Sequence, residues 1–222
     1  DMVLTDDNFT SIVAAVEEGR GVFSNIKKFL MYLLSCNIGE ILLMAVAILF
    51  GPLLGLPADV LPLIAIQILW INLATDGLPA IALSVDPPEP DLMQREPRRR
   101  EDSIFSRPVI SFLARAGGWT AFISLAVFIW ALQSGRGFIE SQCLCFVTLI
   151  MVQFFNALNC RSEKYSLVSI GLFSNKWLLI SIAVSLGMTF VLIYVPVLQN
   201  VFHTYALTFV DWVIAIAAAS TI

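Results

Sequence analysis

Charge is scarce in this chain: only 14% of its 222 residues are charged, and a single histidine is present. Soluble domains of ordinary composition carry about 25% charged residues. Hydrophobic residues make up 58% of the chain, and its mean hydropathy is +0.84. No soluble fold can bury this much apolar surface, so the composition indicates a membrane protein in contact with lipid. The net charge of -4 and the lack of a polybasic face give no sign of nucleic-acid binding, and we expect none.

Signals for catalysis and for thiolate chemistry are also missing. The chain has no Walker loop and no Ser-His-Asp arrangement, so we assign no catalytic and no cofactor-binding residue. Its four cysteines lie inside or beside apolar runs, which is typical of small buried hydrophobic residues. Cys143 and Cys145 could form a soft-metal pair, but no histidine or third cysteine lies nearby. We predict no disulfide.

The first residues, Asp1 to Asp7, contain no basic segment of the kind that begins a signal peptide. We therefore expect the sequence to be cut from a longer protein.

Long apolar runs predict an all-α membrane protein with six transmembrane helices. The predicted spans cover residues 26–50, 61–85, 109–132, 140–159, 176–196 and 204–222. Residues 1–25 would lie outside the membrane, and residues 26–222 would form the transmembrane domain. If the N-terminus is cytoplasmic, all of the 13 lysines and arginines except Arg136 fall on the cytoplasmic side, which fixes the orientation.

The segment before the first span has apolar residues at helical spacing, and no proline precedes Pro52. This pattern predicts a single helix from about Thr10 to Phe50, roughly 60 Å long. Such a helix is about twice as long as the hydrocarbon layer is thick, so it would project into the cytosol as a stalk. The alternative is a separate amphipathic surface helix that breaks at Gly19 and Gly21.

Two carboxylates, Glu40 and Asp76, lie well inside predicted spans, and no lysine or arginine lies at matching depth. An ionised carboxylate in hydrocarbon costs several kcal/mol, and such residues usually mark ion pathways. Either protons or a bound cation must supply the missing positive charge.

Neutral oxygen donors accompany both carboxylates at helical spacing. Asn37 lies three residues before Glu40, and Asn72 and Thr75 lie four residues and one residue before Asp76, so each group shares a helix face. An all-oxygen set with two carboxylates suits calcium (Ca2+), which takes 6–8 oxygens in flexible geometry, better than magnesium. The predicted metal ligands are Asn37, Glu40, Asn72, Thr75, Asp76 and Gln153.

Gly77 and Pro79 weaken the helix that carries Asp76, because proline removes a donor and glycine lowers helix propensity. An unwound stretch at this depth is tolerated where it lines a cavity, and it frees carbonyls for ions. Gln153 and Asn156 in the fourth span add amide oxygens. The alternative, that such residues only join helices by hydrogen bonds, is strongest for Gln153.

These motifs resemble the C-terminal membrane half of P-type cation pumps, in particular the sarcoplasmic-reticulum-type calcium ATPases. Residues 37–40 are similar to the ion motif of that family's fifth helix, residues 70–79 to that of the sixth, and residues 156–159 to that of the eighth. Residues 1–20 are similar to the junction between the phosphorylation domain and the stalk. The resemblance extends over essentially the whole chain.

The resemblance implies an ATP-driven pump that cycles through an aspartyl-phosphate and moves calcium out of the cytosol. One calcium ion would be held by Asn37, Glu40, Thr75 and Asp76, and a second by Asn72 and Asp76 with help from a helix that precedes this sequence. ATP and Mg2+ would act only through the phosphorylation, nucleotide and actuator domains, which would be partners together with membrane lipid. The sequence has no Asp-Lys-Thr-Gly phosphorylation motif, so we expect these 222 residues alone to be inactive.

Two departures from the family pattern matter. Gln153 stands where the two-calcium pumps carry a glutamate, which leads us to expect one calcium per cycle. The loop at residues 133–139 is short, as in bacterial relatives, so we expect a bacterial plasma membrane with a cytoplasmic stalk. Manganese as the transported ion, a secondary cation transporter or channel, and a purely structural membrane module all remain open.

Overall fold

The computed structural model describes residues 9–56, 60–96, 104–162 and 164–222. Residues 1–8, which the resemblance assigns to the junction with a phosphorylation domain, lie outside the described residues. No strand occurs in the described part, which confirms the all-α class. Its helices are α1 (Phe9–Phe50), α2 (Ala65–Trp70), α3 (Gly77–Leu83), α4 (Arg107–Gln133), α5 (Phe138–Asn159), α6 (Leu167–Ile170), α7 (Lys176–Tyr194), α8 (Pro196–Phe202) and α9 (Phe209–Ala219).

Within these ranges, five helical segments are long and apolar enough to cross a membrane. They are α1, the segment Ala65–Leu83 that contains α2 and α3, and the helices α4, α5 and α7. The last predicted span, residues 204–222, contains the shorter apolar helix α9 of 11 residues. Since a span needs about 20 residues, α9 by itself is too short to cross the hydrocarbon layer.

Helix α1 runs unbroken for 42 residues, as predicted, and is about 63 Å long at 1.5 Å per residue. Gly19 and Gly21 remain helical, so the predicted alternative of a break at these glycines is wrong. The buried residues of α1 all lie between Lys28 and Ala47. The part of the helix before Asn25 therefore extends beyond the packed bundle.

The loop after α3 is held against this extension. A terminal nitrogen of the Arg20 guanidinium donates to the carbonyls of Leu92 and Arg95, at 3.0 and 2.8 Å. Arg95 in turn forms ion pairs with Glu89 and Asp91. The hydrogen bond from Arg95 lowers the pKa of the Asp91 carboxyl below its usual value. These contacts attach the loop to α1 about two turns before the buried part of the helix.

Helix α5 lies at the centre of the bundle. Its residues 141–154 are all buried, and it packs against α4 and α9 and contacts α1 and α3. Gln153, only 1% exposed, is therefore a core residue rather than a lipid-facing one.

Helices α1 and α4 approach closely at two glycines. A Cβ atom on Gly117 would lie 2.5 Å from Cγ2 of Ile38 and 3.1 Å from the carbonyl oxygen of Ser35. A Cβ atom on Gly39 would lie 2.9 Å from Cγ2 of Thr120. The contact therefore requires glycine on both helices. On α1 this glycine, Gly39, directly precedes Glu40.

We expect Gly117→Ala to destabilise the protein, because the added methyl group meets α1 main chain and forces the helices apart. Overpacking of this kind typically costs about 1–3 kcal/mol. Gly118→Ala is the matched control, since a Cβ there meets nothing within 4 Å. Thermal denaturation of the detergent-solubilised protein should show a lower midpoint for Gly117→Ala alone. Equal midpoints for the two variants would contradict the close helix contact.

Candidate metal centre

The helix that carries Asp76 is interrupted in the middle of its span. Residues Ile71–Thr75 form a π-helical turn, and the Asp76 N–H donates to the Ile71 carbonyl, five residues back, at 2.9 Å. Pro79 lies in the first turn of α3, where proline is tolerated, and it has no N–H to offer the carbonyl of Thr75. The stretch that Gly77 and Pro79 were expected to unwind is instead a hydrogen-bonded π turn, and it lies just before them. Single π turns of this kind are frequent at functional sites.

Around this interruption, side chains from α1, the π turn and α5 form one hydrogen-bonded cluster. The Glu40 carboxylate accepts from Nδ2 of Asn72 at 2.7 Å and from Nε2 of Gln153 at 2.9 Å. The same Gln153 nitrogen lies 3.3 Å from Oδ2 of Asp76, and the Tyr32 hydroxyl donates to Oδ1 of Asp76 at 3.2 Å. One amide group therefore bridges two carboxylates from different helices.

The cluster is buried and holds two carboxylates without a cationic side chain. Glu40 is 4% exposed and Asp76 is 1% exposed. None of the ion pairs among the described residues includes either of them. Hydrogen bonds from neutral donors lower the cost of a buried charge but do not cancel it. The cluster therefore needs protons or a cation to balance its charge.

Gln153 also carries an unsatisfied acceptor. Its Nε2 is used by the two carboxylates, while its Oε1 is buried and has no hydrogen-bond partner. A buried acceptor without a partner costs about 1–3 kcal/mol, so its presence calls for an explanation. An oxygen of this kind beside two carboxylates is suited to a hard cation such as calcium.

Two predicted ligands do not contact the carboxylates. The half-buried Asn37 donates to the Leu33 carbonyl at 2.8 Å, and the buried Thr75 hydroxyl donates to a carbonyl on its own helix at 2.9 Å. Asn156, one turn after Gln153, donates to the Ser35 hydroxyl at 2.7 Å and joins α5 to α1. The structure thus brings Glu40, Asn72, Asp76 and Gln153 together and leaves Asn37 and Thr75 at the edge of the cluster.

Sequence reasoning did not identify Tyr32 as a residue of the site. Its ring is fully buried, and its hydroxyl reaches Asp76. The spacing offered a signal, because Tyr32, Cys36 and Glu40 follow one another at four-residue intervals and so share one side of α1.

No group of three or more histidine, cysteine, aspartate or glutamate side chains in the described part of the chain could hold a metal. Any cation at the cluster would therefore rely on amide, hydroxyl and main-chain oxygens besides the two carboxylates. All four cysteines are free thiols. Cys143 and Cys145 contact different carbonyls, those of Tyr205 and Ser124, and do not form a paired thiolate site.

The chain is similar to known proteins over nearly its whole length. Residues 60–222 match the family described as "Cation transporting ATPase, C-terminus". The chain is 41% identical over 227 residues to "Calcium-transporting ATPase 1" of Bacillus cereus, an alignment that covers 96% of the chain and 25% of the relative. It is 41% identical over 220 residues to "Calcium-transporting ATPase" of Bacillus subtilis, covering 99% and 24%.

A plant relative is also similar. The chain is 32% identical over 274 residues to "Calcium-transporting ATPase 4, endoplasmic reticulum-type" of Arabidopsis thaliana, an alignment that covers 99% of the chain and 25% of the relative. The chain spans about a quarter of the length of these curated relatives.

Proposed function

Because this chain belongs to the family of cation-transporting ATPases, whose C-terminal region it matches, we propose that it is the ion-binding transmembrane part of an ATP-driven pump that exports calcium from the cytosol. The observation that carries the proposal is the buried pair Glu40 and Asp76, bridged by Gln153, whose own carbonyl oxygen has no partner. The names of the relatives, all calcium-transporting ATPases, favour calcium as the ion.

In this proposal the carboxylates of Glu40 and Asp76 supply the charge, and the amides change partner when the ion binds. Asn72 and Gln153 now present their NH2 groups to the carboxylates. Donor hydrogens would repel a cation, whereas the oxygen of the same amide is a ligand. Turning each amide would replace a hydrogen bond by a metal bond without moving a helix. The remaining ligands of the proposed set, Asn37 and Thr75, would join by side-chain rotation.

The pump's other chemistry belongs to domains outside these 222 residues. ATP and Mg2+ would act there, through an aspartyl-phosphate, and residues 1–25 would join the phosphorylation domain to α1. Helix α1 is suited to carry the motion, because one unbroken helix contains both the projecting segment and Glu40. A channel or a secondary transporter has no need of a stalk of this length.

We further propose that the N-terminal end of α1 is cytoplasmic and that the membrane is a bacterial plasma membrane. The distribution of lysine and arginine supports this orientation. Arg136, the exception, lies at the opposite end of the bundle, where it pairs with Glu140 and Asp211.

The proposal predicts that the full-length protein forms a phosphoenzyme from ATP only when a transported ion is bound. Calcium should support phosphorylation at low concentration, while Mg2+ alone should not, because it prefers a tight octahedron and keeps its waters. Labelling with radioactive ATP over a calcium titration, with manganese in parallel, measures this. Phosphorylation that is independent of both ions would contradict the proposal. A preference for manganese would show that manganese, and not calcium, is the transported ion.

A further inference from the structure

A second buried polar cluster is centred on Asp86, just after α3. One oxygen of its carboxylate accepts from Nζ of Lys28 at 2.7 Å. The other accepts from Nε of Arg161 at 3.0 Å and from Nδ2 of Asn175 at 2.8 Å. The charged side chains are withdrawn from solvent, at 6% exposure for Lys28, 1% for Asp86 and 0% for Arg161.

The cluster joins four helices at one end of the bundle. Lys28 belongs to α1, Arg161 follows α5, and Asn175 caps the N-terminus of α7 through a hydrogen bond from the Leu178 N–H. The Asn175 amide also donates to the Ala82 carbonyl in α3, at 3.0 Å.

Helix α1 also bonds to the main chain of Asp86: the side-chain amide of Asn25 donates to the Asp86 carbonyl at 2.8 Å. Both the side chain and the main chain of Asp86 are therefore held by α1.

Helix α1 bonds to the segment that carries Asp76 at two places. Tyr32 donates to Asp76 at the start of α3, and Lys28, one turn earlier on the same face of α1, pairs with Asp86 beyond its end. Between these contacts lies α3, a single short helix. An axial shift or rotation of α1 would therefore be transmitted to both ends of α3.

We propose that Asp86 is a positioning residue that, through its buried pair with Lys28, couples movement of α1 to the segment carrying Asp76. This inference rests on the proposed function, since it assigns the route by which the pump's cytosolic chemistry reaches the cation cluster. Asp86 is not one of the proposed ligands.

The composition of the cluster argues against a role in stability alone. Two cations share one carboxylate, so a buried positive charge remains in excess. Burying charges in this way is often less stable than filling the same space with apolar side chains. A buried ion pair links two helices at fixed positions and in a fixed direction, which apolar packing does not do. Coupling the movement of one helix to another requires a link of this kind.

The test compares variants of Lys28 in the full-length protein. Lys28→Met removes the ionic bond from α1 to the Asp86 carboxylate, keeps the Asn25 bond to the Asp86 carbonyl, and leaves Asp86 and Arg161 as a balanced pair, so the bundle should fold. Lys28→Arg keeps the charge. Lys164→Met is the control at the same end of the molecule, where Lys164 is 62% exposed and forms a surface ion pair with Asp91.

Two quantities are measured for each variant, calcium bound at equilibrium and calcium-activated phosphorylation from ATP. We expect Lys28→Met to bind calcium within about twofold of wild type while its phosphorylation rate per bound calcium falls by about tenfold or more, because loss of a buried ionic contact typically weakens coupling by that order. Lys28→Arg should recover most of the rate, and Lys164→Met should match wild type.

Each other outcome has a definite meaning. An unchanged phosphorylation rate per bound calcium in Lys28→Met overturns the coupling role. A parallel loss of binding and phosphorylation, with a lowered unfolding temperature, shows that the cluster serves stability only and also overturns it. Asp86→Asn supplies a second measurement from the other side of the pair. Absence of calcium binding in the wild type would instead refute the proposed function.

Discussion

Replacing Asp76 by asparagine in the full-length protein is expected to abolish calcium-dependent phosphorylation from ATP, and Glu40→Gln is expected to do the same. Each change removes one negative charge from a desolvated site at almost constant volume. An uncompensated charge in such a site costs several kcal/mol, which lowers calcium affinity by about 100-fold or more. The loss of calcium affinity should be largest for Asp76→Asn. Asp76 is 1% exposed, and it is the carboxylate that the resemblance assigns to both calcium ions.

Neutral ligands provide the matched comparison. Asn72→Ala removes a group that contacts Glu40 directly, so its effect should be intermediate. Asn37→Ala should have the smallest effect of the set, because the Asn37 amide bonds within its own helix.

Calcium titration of phosphorylation and equilibrium calcium binding give the ranking, and the unfolding temperature of each variant controls for misfolding. Wild-type calcium affinity in Asp76→Asn would show that the cation site has been placed wrongly.

The sequence predicted the helices well, because apolar runs and the lack of proline act locally. Helix α1 needed only the uninterrupted pattern before Pro52 to be predicted as one unit. The interruption beside Asp76 was predicted from Gly77 and Pro79, but proline acts on the turn that precedes it. The irregular segment therefore falls at residues 71–76, and Pro79 itself sits in the first turn of a new helix.

The contacts between helices were harder to predict than the helices. Glu40 and Asp76 could be chosen from depth and charge alone. Their bridge through Gln153 depends on how α5 packs against α1 and α3, which periodicity does not specify. Gln153 was the predicted ligand for which simple helix joining was the strongest alternative. Its amide does join α5 to both carboxylates by hydrogen bonds, as that alternative describes, and its role as a ligand stays a prediction.

The cluster at Asp86 was missed for a related reason. Asp86 and Arg161 lie just beyond helix ends, where charged residues are normally solvated, and Lys28 was interpreted as a charge that sets orientation. In the folded chain all three are buried. Composition cannot reveal that the ends of several helices converge, so a residue in a predicted loop was not considered as a possible core residue.

The full-length protein should bind one calcium per phosphorylatable site, and Gln153→Glu should raise this number to two. Two calcium ions bring four positive charges into a desolvated site. The cluster offers two carboxylates, Glu40 and Asp76, and Gln153 supplies an oxygen but no charge. A second ion would leave positive charge uncompensated, at a cost of several kcal/mol, which weakens its binding by about two orders of magnitude or more.

Position 153 is suited to a test of the one-calcium stoichiometry, because its side chain lies close to both carboxylates. Its side-chain nitrogen lies 2.9 Å from an oxygen of Glu40 and 3.3 Å from one of Asp76, so glutamate there would add a third carboxylate to the same cluster. Three carboxylates so close together repel one another unless more positive charge arrives, and a second calcium supplies it. Gln142→Glu is the control, because it adds the same charge to α5 about three turns away, where Gln142 bonds the Leu61 carbonyl instead. Equilibrium calcium binding, divided by the number of phosphorylatable sites, decides the matter: two ions in the wild type would refute the argument, and so would a Gln153→Glu variant that still binds only one.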